Sequence, residues 1–329
     1  MTKPGPFRLA ALATAAIGWM SIALAQEREL PVKEVPNLGE AAELYFSPDG
    51  KRLIGTAKRD GDAAHMVYVA SLDGREIRRI NDRGEDACSY FFPDGRRIVW
   101  TSTRDNLEMP KGNWSDPRDY PQGAELYSSN ADGTDAKRLT SNRFYDAEVS
   151  VSPDGKWLLF TRQIDGKLDL WRMRPDGTGE TQITRTDEWQ EGGSFYMPDS
   201  ETILLRAWKR ADEARRGRPM TIFTIRHDGT ELEPITTDPD MNWAPYPAPD
   251  GRHFVYVRML PPQNFEVFLF DMKTKQKRRL TSFPGFDGFP ALSPDGRKMA
   301  FASSRDAKPG ERMLKTYLMD VSSLGLGAK

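Results

Sequence analysis

The sequence predicts an all-β protein, a six-bladed β-propeller built from four-stranded antiparallel blades. Three observations carry this: a Pro-Asp turn present in six copies, five of them followed by Gly, a second turn at a steady distance from it, and almost no helical periodicity. The first turn appears as Ser47-Pro48-Asp49-Gly50, Phe92-Pro93-Asp94-Gly95, Ser152-Pro153-Asp154-Gly155, Met197-Pro198-Asp199-Ser200, Ala248-Pro249-Asp250-Gly251 and Ser293-Pro294-Asp295-Gly296. Proline presets φ for the first central turn position, Asp caps its own backbone, and Gly accepts the left-handed residue that closes a short hairpin loop. Aromatic or aliphatic residues precede each turn, and a further apolar run follows it, as in Trp157-Leu158-Leu159-Phe160.

The turn prolines are spaced by 45, 60, 45, 51 and 45 residues. A weaker turn follows in the first four units, at Asp73-Gly74, Asp132-Gly133, Asp176-Gly177 and Asp228-Gly229. Another strand then ends in a shared signature, as in Arg138-Leu139-Thr140, Gln182-Ile183-Thr184, Pro234-Ile235-Thr236 and Arg279-Leu280-Thr281. Each unit is therefore four short strands in about 40 to 50 residues, the size of a propeller blade. Only Arg206 to Arg216 has a pattern that could give a turn or two of helix.

The two turns also serve as rulers. From the first-turn Asp to the second-turn Asp the distances are 24, 38, 22 and 29 residues; from there to the next first turn they are 21, 22, 23 and 22. All length variation thus falls between strands two and three of a unit. That connection lies at the end of the blade opposite both turns, so one face is uniform and the other carries every insertion. Binding residues on such scaffolds concentrate on the variable loops.

Residues 1–25 read as a cleaved signal peptide. Lys3 and Arg8 give a basic start, Leu9 to Ala25 carry no charge, and Ala23-Leu24-Ala25 is a small-residue cleavage site. The expected mature protein is periplasmic, with no further membrane-length apolar stretch. Residues 26–38 form a short segment in which Glu29 to Val35 has no partner of its own. It is expected to supply the outer strand of the sixth blade and so close the ring. The propeller is assigned to 39–321 and a Gly-rich tail to 322–329.

Composition narrows the function classes. The chain has 329 residues, 38% hydrophobic and 29% charged, with a formal net charge of −1. Near-neutral charge without a basic cluster argues against nucleic acid as a partner. One cysteine and three histidines argue against a disulfide framework, a multi-cysteine zinc site or His-based catalysis. A monomer is expected.

Aligning the units on the turn proline exposes a column seven residues upstream: Ala41, Asp86, Asp146, Glu191, Asn242 and Asp287. It starts the innermost strand of each blade at the loop end. Two readings stand. The side chains could ring the channel mouth and bind a partner's basic group or a hard cation such as Ca²⁺; no other cofactor is indicated. Alternatively, they could hold backbone N–H groups or a neighbouring Arg, a role that repeats because the fold repeats. The second candidate is the long loop Arg104 to Gly123, stiffened by Pro110, Pro117 and Pro121 and carrying Trp114 and Tyr120. Tyr145, Trp189, Trp243 and Phe286 fall at the same end. Aromatics among carboxylates suit a sugar, a peptide or a protein surface, or else local packing between blades. The segment Gly192-Gly193-Ser194-Phe195-Tyr196 lacks the second glycine of a nucleophile elbow, and no phosphate loop or metalloprotease motif occurs.

The run from Arg279-Leu280-Thr281 through Phe286-Asp287-Gly288-Phe289-Pro290 to Ser293-Pro294-Asp295-Gly296 closely resembles the repeat of TolB-like β-propellers. The resemblance covers about residues 38 to 320. It implies a six-bladed propeller and, in Gram-negative bacteria, a periplasmic setting. In TolB itself the propeller binds an outer-membrane lipoprotein, and an extra N-terminal α/β domain contacts the inner-membrane part of the Tol system. The segment before the first blade is too short for that domain, so a TolB-like propeller lacking it is expected. Similar repeats form the propeller of prolyl oligopeptidase-type enzymes, whose hydrolase domain is not found here. The leading expectation is a non-enzymatic propeller that binds a protein or peptide on its loop face. The alternative is a hydrolase or lyase acting on a carbohydrate or peptide through channel carboxylates, with or without a divalent cation.

Overall fold

The computed structural model describes residues 29–328 apart from 309 and 312; the expected signal peptide and its cleavage site lie outside the described residues. Six four-stranded antiparallel sheets form the blades. Their inner strands are Glu40–Phe46, Asp86–Phe91, Tyr145–Val151, Trp189–Tyr196, Asn242–Pro247 and Asp287–Leu292. Each is followed outward by its next strands in chain order, except that the sixth blade takes its outer strand from the start of the chain. There Val32–Glu34 pairs antiparallel with Lys315–Asp320, matching Val32 to Met319 and Glu34 to Tyr317. The ring is thus closed as the unpartnered N-terminal segment predicts, and the outer rim of Lys315–Asp320 is paired instead of bare.

The repeated turn does what its residues dictate. In the first, third and sixth blades the Ser hydroxyl donates to the Asp carboxylate at 2.6, 2.7 and 2.6 Å. The Gly N–H donates to the Ser carbonyl at 2.8 Å in each of the three. Those glycines have φ of +66°, +72° and +67°, the left-handed region that a side chain resists. The Thr that ends the shared signature has its own task. Thr140, Thr184, Thr236 and Thr281 each accept, at 2.9 Å, the N–H of a residue in the third strand of their blade. Thr is repeated because this bond joins strands three and four where the ladder runs out.

Blade packing is apolar on both sheet faces, with Trp100, Trp208, Tyr256, Phe160 and Phe254 fully buried. Of the expected helical turn near Arg206 to Arg216, the first four residues are strand, the next three form a single 3₁₀ turn and the rest are turn and bend. Thr202–Lys209 pairs on both sides, and only Arg210–Asp212 forms a short 3₁₀ turn. Sheet pairing overrides local propensity there. The tail returns to the body: Leu326 is buried and its carbonyl accepts the N–H of Asp250 at 3.1 Å, bridging the sixth blade to the fifth. Among the described residues no helix is long and apolar enough to cross a membrane.

Candidate functional site at the loop end of the channel

Every inner strand contains a β-bulge, and the bulges decide which side chains reach the axis. The register slips in all six, between Ala42 and Tyr45, Ala87 and Ser89, Ala147 and Ser150, Gly192 and Phe195, Trp243 and Tyr246, and Gly288 and Ala291. The bulged residue lies five before the turn proline. It is Glu43, Cys88, Glu148, Gly193, Ala244 or Phe289, with φ of 58°, 38°, 54°, 53°, 47° and 51°. Positive φ at five non-glycine residues is uncommon and is found where structure is held for function. A bulge re-aims a side chain, and here all six residues line one cavity of about 620 Å³.

The column seven before the proline faces elsewhere. Asp86 accepts the N–H of Val67 at 3.0 Å and the Asn81 amide at 2.7 Å, tying the second blade to the first. Asp146 takes Arg162 in a two-pronged ion pair of 2.6 and 2.7 Å, with both side chains buried. Glu191 is bonded by the Thr186 hydroxyl. Asn242 bonds Met220 and Asp238 in the link from the fourth blade, at 3.2 and 2.9 Å. Asp287 pairs with Arg305 at 3.2 Å. Burial pushes Asp86 and Asp287 up to about 6 and Glu191 up to about 7. None of the five lines the cavity. The geometry therefore matches the role of tying strands and links together, not a ring converging on the axis. Among the described residues no group of three or more His, Cys, Asp or Glu side chains is arranged to hold a metal ion.

The aromatic expectations divide. Trp114, Tyr120, Trp243 and Phe286 line the cavity together with Tyr145, Trp208, Phe265 and Phe289. The long loop of the second blade folds across to the third: Tyr120 stacks on Tyr145 at 4.2 Å, and Gln163 donates to the Pro117 carbonyl at 2.7 Å. Trp189 does not belong to this set. It packs edge-on against Phe223 at 5.0 Å within the fourth blade, so it is a packing residue.

The charged residues of the cavity were not singled out by the repeat. Glu148 accepts from Arg206 Nη2 at 2.5 Å, from the Thr161 hydroxyl at 2.9 Å and from the Gly193 N–H at 2.7 Å. A Cβ on Gly192 would stand 2.2 Å from Glu148 Oε2 and 2.6 Å from Arg206 Nη1, so the pair can approach only a glycine. Glu43 accepts from the Tyr45 hydroxyl at 3.1 Å and from Cys88 Sγ at 3.6 Å. Burial and the nearby Glu148 charge push its carboxyl up to about 7, so near neutrality it is partly protonated. Arg216 and Arg218, from the loop after Arg210–Asp212, complete the rim. One signal could have marked this column: it keeps no single chemistry across the blades, holding Glu, Cys, Glu, Gly, Ala and Phe in turn.

Below the cavity the column three before the proline makes a plug. Tyr45, Tyr90, Phe195 and Tyr246 gather with ring centroids 4.9 to 6.0 Å apart, and the Tyr90 and Tyr246 hydroxyls bond at 2.9 Å. The turn end beyond it is a shallower hollow of about 310 Å³ walled by all six turn prolines.

No family model matches the chain. A TolB homologue of Chlorobium chlorochromatii is 30% identical over 181 residues, which is 55% of this chain and 29% of that one. A solved structure from Agrobacterium tumefaciens, provisionally assigned as TolB, superposes with a TM-score of 0.61 over 88% of this chain and 96% of that one at 22% identity. The chain is a TolB-like six-bladed propeller. It spans about half the length or less of the first curated relatives it matches. The same TolB-like architecture extends to an oligogalacturonate lyase of Vibrio parahaemolyticus, with a TM-score of 0.54 over 90% of this chain and 95% of that one at 13% identity. At such identities the structural likenesses speak for the fold alone.

Proposed function

We propose that the chain is a periplasmic binding propeller that takes a segment of a protein or peptide partner into the loop-end cavity and performs no chemistry on it. The observation that carries this reading is the cavity itself: about 620 Å³, open at the loop face, closed below by the aromatic plug and walled by aromatics from several blades. Rigid aromatic anchors in a concave site are what protein and peptide recognition uses. The leader-like first 25 residues and the TolB-like relatives support the location and the partner class.

The test is capture from periplasmic extract with the wild type, a Trp114→Ala/Trp243→Ala/Phe286→Ala triple variant, and Trp189→Ala as a packing control. The triple variant should lose a partner that the wild type and the control retain. Recovery of the same partners by all three places binding elsewhere.

A second reading has one observation behind it. Glu43, held near 7 beside Glu148 and Arg206 in an aromatic cavity, is poised for proton transfer, and a lyase shares the architecture. Turnover of acidic oligosaccharides or peptides that Glu43→Gln abolishes, with or without a stoichiometric divalent ion in metal analysis, would replace the binding reading with this one.

A further inference from the structure

The hydrogen-bond inventory of the cavity is lopsided. Its carboxylate oxygens are all engaged: both of Glu148 and both of Glu43 already accept from protein donors. Its donors are not. Arg206 Nε and Nη1, Trp114 Nε1, Trp208 Nε1 and the Ser194 hydroxyl are buried without any protein acceptor, and all four residues line the cavity. Arg206, Trp208 and Ser194 are only 5%, 1% and 1% exposed. Trp100 and Trp171 also leave an indole N–H unpaired, but neither lines this cavity. Buried donors without acceptors are costly unless something else accepts from them.

Charge points the same way. Arg206 and Arg218 lie over the Trp208 ring at 4.7 and 5.4 Å, and Arg216 stands at the rim. Against these three cations the cavity sets Glu148, already paired with Arg206, and Glu43. The unspent capacity is therefore cationic and, the Ser194 hydroxyl apart, donor-only, in an otherwise aromatic wall. Its complement is an acceptor-only anion on an apolar body.

We propose that the cavity recognises a carboxylate of the partner peptide, either its C-terminus or an acidic side chain beside an apolar residue, through Arg206 and Arg218 with the indole N–H groups of Trp114 and Trp208. This rests on the binding reading above and names what enters the site. Arg206 is the anchor because Gly192, the ring of Trp208 and Glu148 fix its guanidinium before any ligand arrives, which lowers the ordering cost of binding. The apolar body of the ligand would lie against Trp243, Phe286 and Phe289.

The probes are hydrocinnamate, its neutral amide hydrocinnamide, and galacturonate, titrated by calorimetry and tryptophan fluorescence against the full chain. Hydrocinnamate should bind about tenfold or more tightly than hydrocinnamide, as expected for charge-assisted bonds. It should also bind more tightly than galacturonate. Arg206→Gln should erase the acid-over-amide preference, and Arg218→Gln should reduce it by several-fold, with folding checked by circular dichroism. If Arg206→Gln does not fold, Arg218→Gln and the wild-type acid–amide comparison still decide. Equal binding of acid and amide, or no saturable binding of the acid, overturns the carboxylate proposal. Preference for galacturonate overturns the peptide assignment. In these cases partner capture by the triple aromatic variant still tests the wider binding reading separately.

Discussion

The two ends of the channel are built from the same strands and follow opposite rules. At the turn end, the blades repeat one local solution: proline at the lip and Asp capping the backbone, with Ser behind the cap in three blades and Gly at positive φ in five. Its carboxylates are comfortable. Ser47 and Ser293 hydroxyls hold Asp49 and Asp295 below the usual range, and at Asp154 the bonds from Ser152 and Lys156 outweigh partial burial. At the loop end the bulged residue ranges over Glu, Cys, Gly, Ala and Phe, with Glu in two blades, and the carboxyls Glu43, Asp86, Glu191 and Asp287 are all pushed up by burial. Repetition marks what the fold needs, and departure from repetition marks where one blade does something its neighbours do not.

The largest effect that would sharpen this contrast is on stability. Asp146→Ala leaves the buried Arg162 with Glu180 as its remaining partner and should cost about 3 kcal/mol or more in urea unfolding. The matching turn-end change, Asp154→Ala, removes an exposed cap and should cost about 1 kcal/mol or less. Equal costs would break the comparison.

How much of this was legible beforehand follows from what each feature is made of. The six blades, the closing strand and the one-sided insertions were readable because turns announce themselves through Pro, Asp and Gly at fixed spacing. The column of Asp86, Asp146, Glu191, Asn242 and Asp287 was readable as a pattern but ambiguous in meaning, since linear sequence does not say which way a side chain points. Strict alternation would place residues seven, five and three before the proline on one side. The bulge breaks that alternation, and its signature is a backbone angle carried by Glu, Cys, Ala and Phe as well as Gly. Nothing in those residue types announces positive φ, so Glu43, Glu148 and Arg206 stayed out of view.

Next in size is binding. Trp243→Ala should weaken a loop-face ligand by about 2 kcal/mol, a factor of roughly 30, whereas Pro153→Ala in the turn-end ring should leave affinity unchanged. Loss of binding in the proline variant would move the site to the other face. Glycines give a subtler contrast. Gly155→Ala meets only ordinary contacts at 3.6 Å and carries the strain of φ +72°, a cost of about 1 kcal/mol. Gly192→Ala drives a methyl into the Glu148–Arg206 pair, so it should cost about 2 kcal/mol and also change the acid-over-amide preference.

The smallest effect is the pH profile, in which the two ends have opposite signs. Carboxyls pushed up by folding bind more protons folded than unfolded between about 4.5 and 7 for Glu43 and Glu191, and between about 3.8 and 6 for Asp86 and Asp287. Their contribution to stability is therefore full below that window and is lost as pH rises through it. The lowered turn-end aspartates contribute above the usual Asp range and lose their contribution as pH falls below it. The free energy of unfolding should decline from pH 5 to pH 8, and Glu43→Gln should flatten that decline by about 1 kcal/mol. A profile unchanged by Glu43→Gln would show that Glu43 does not titrate in this window.

The pairing of Val32–Glu34 with the last long strand has a consequence for how the molecule comes into being. The circle cannot shut until Tyr317 to Met319 are available to meet the opening strand, so the most distant contact in the sequence is also the one that completes the shape. Such contacts form slowly because a long stretch of chain must be gathered first. Any product that stops short is not a smaller working version of the protein. It is an open arc with two bare strand rims, each able to pair with another arc.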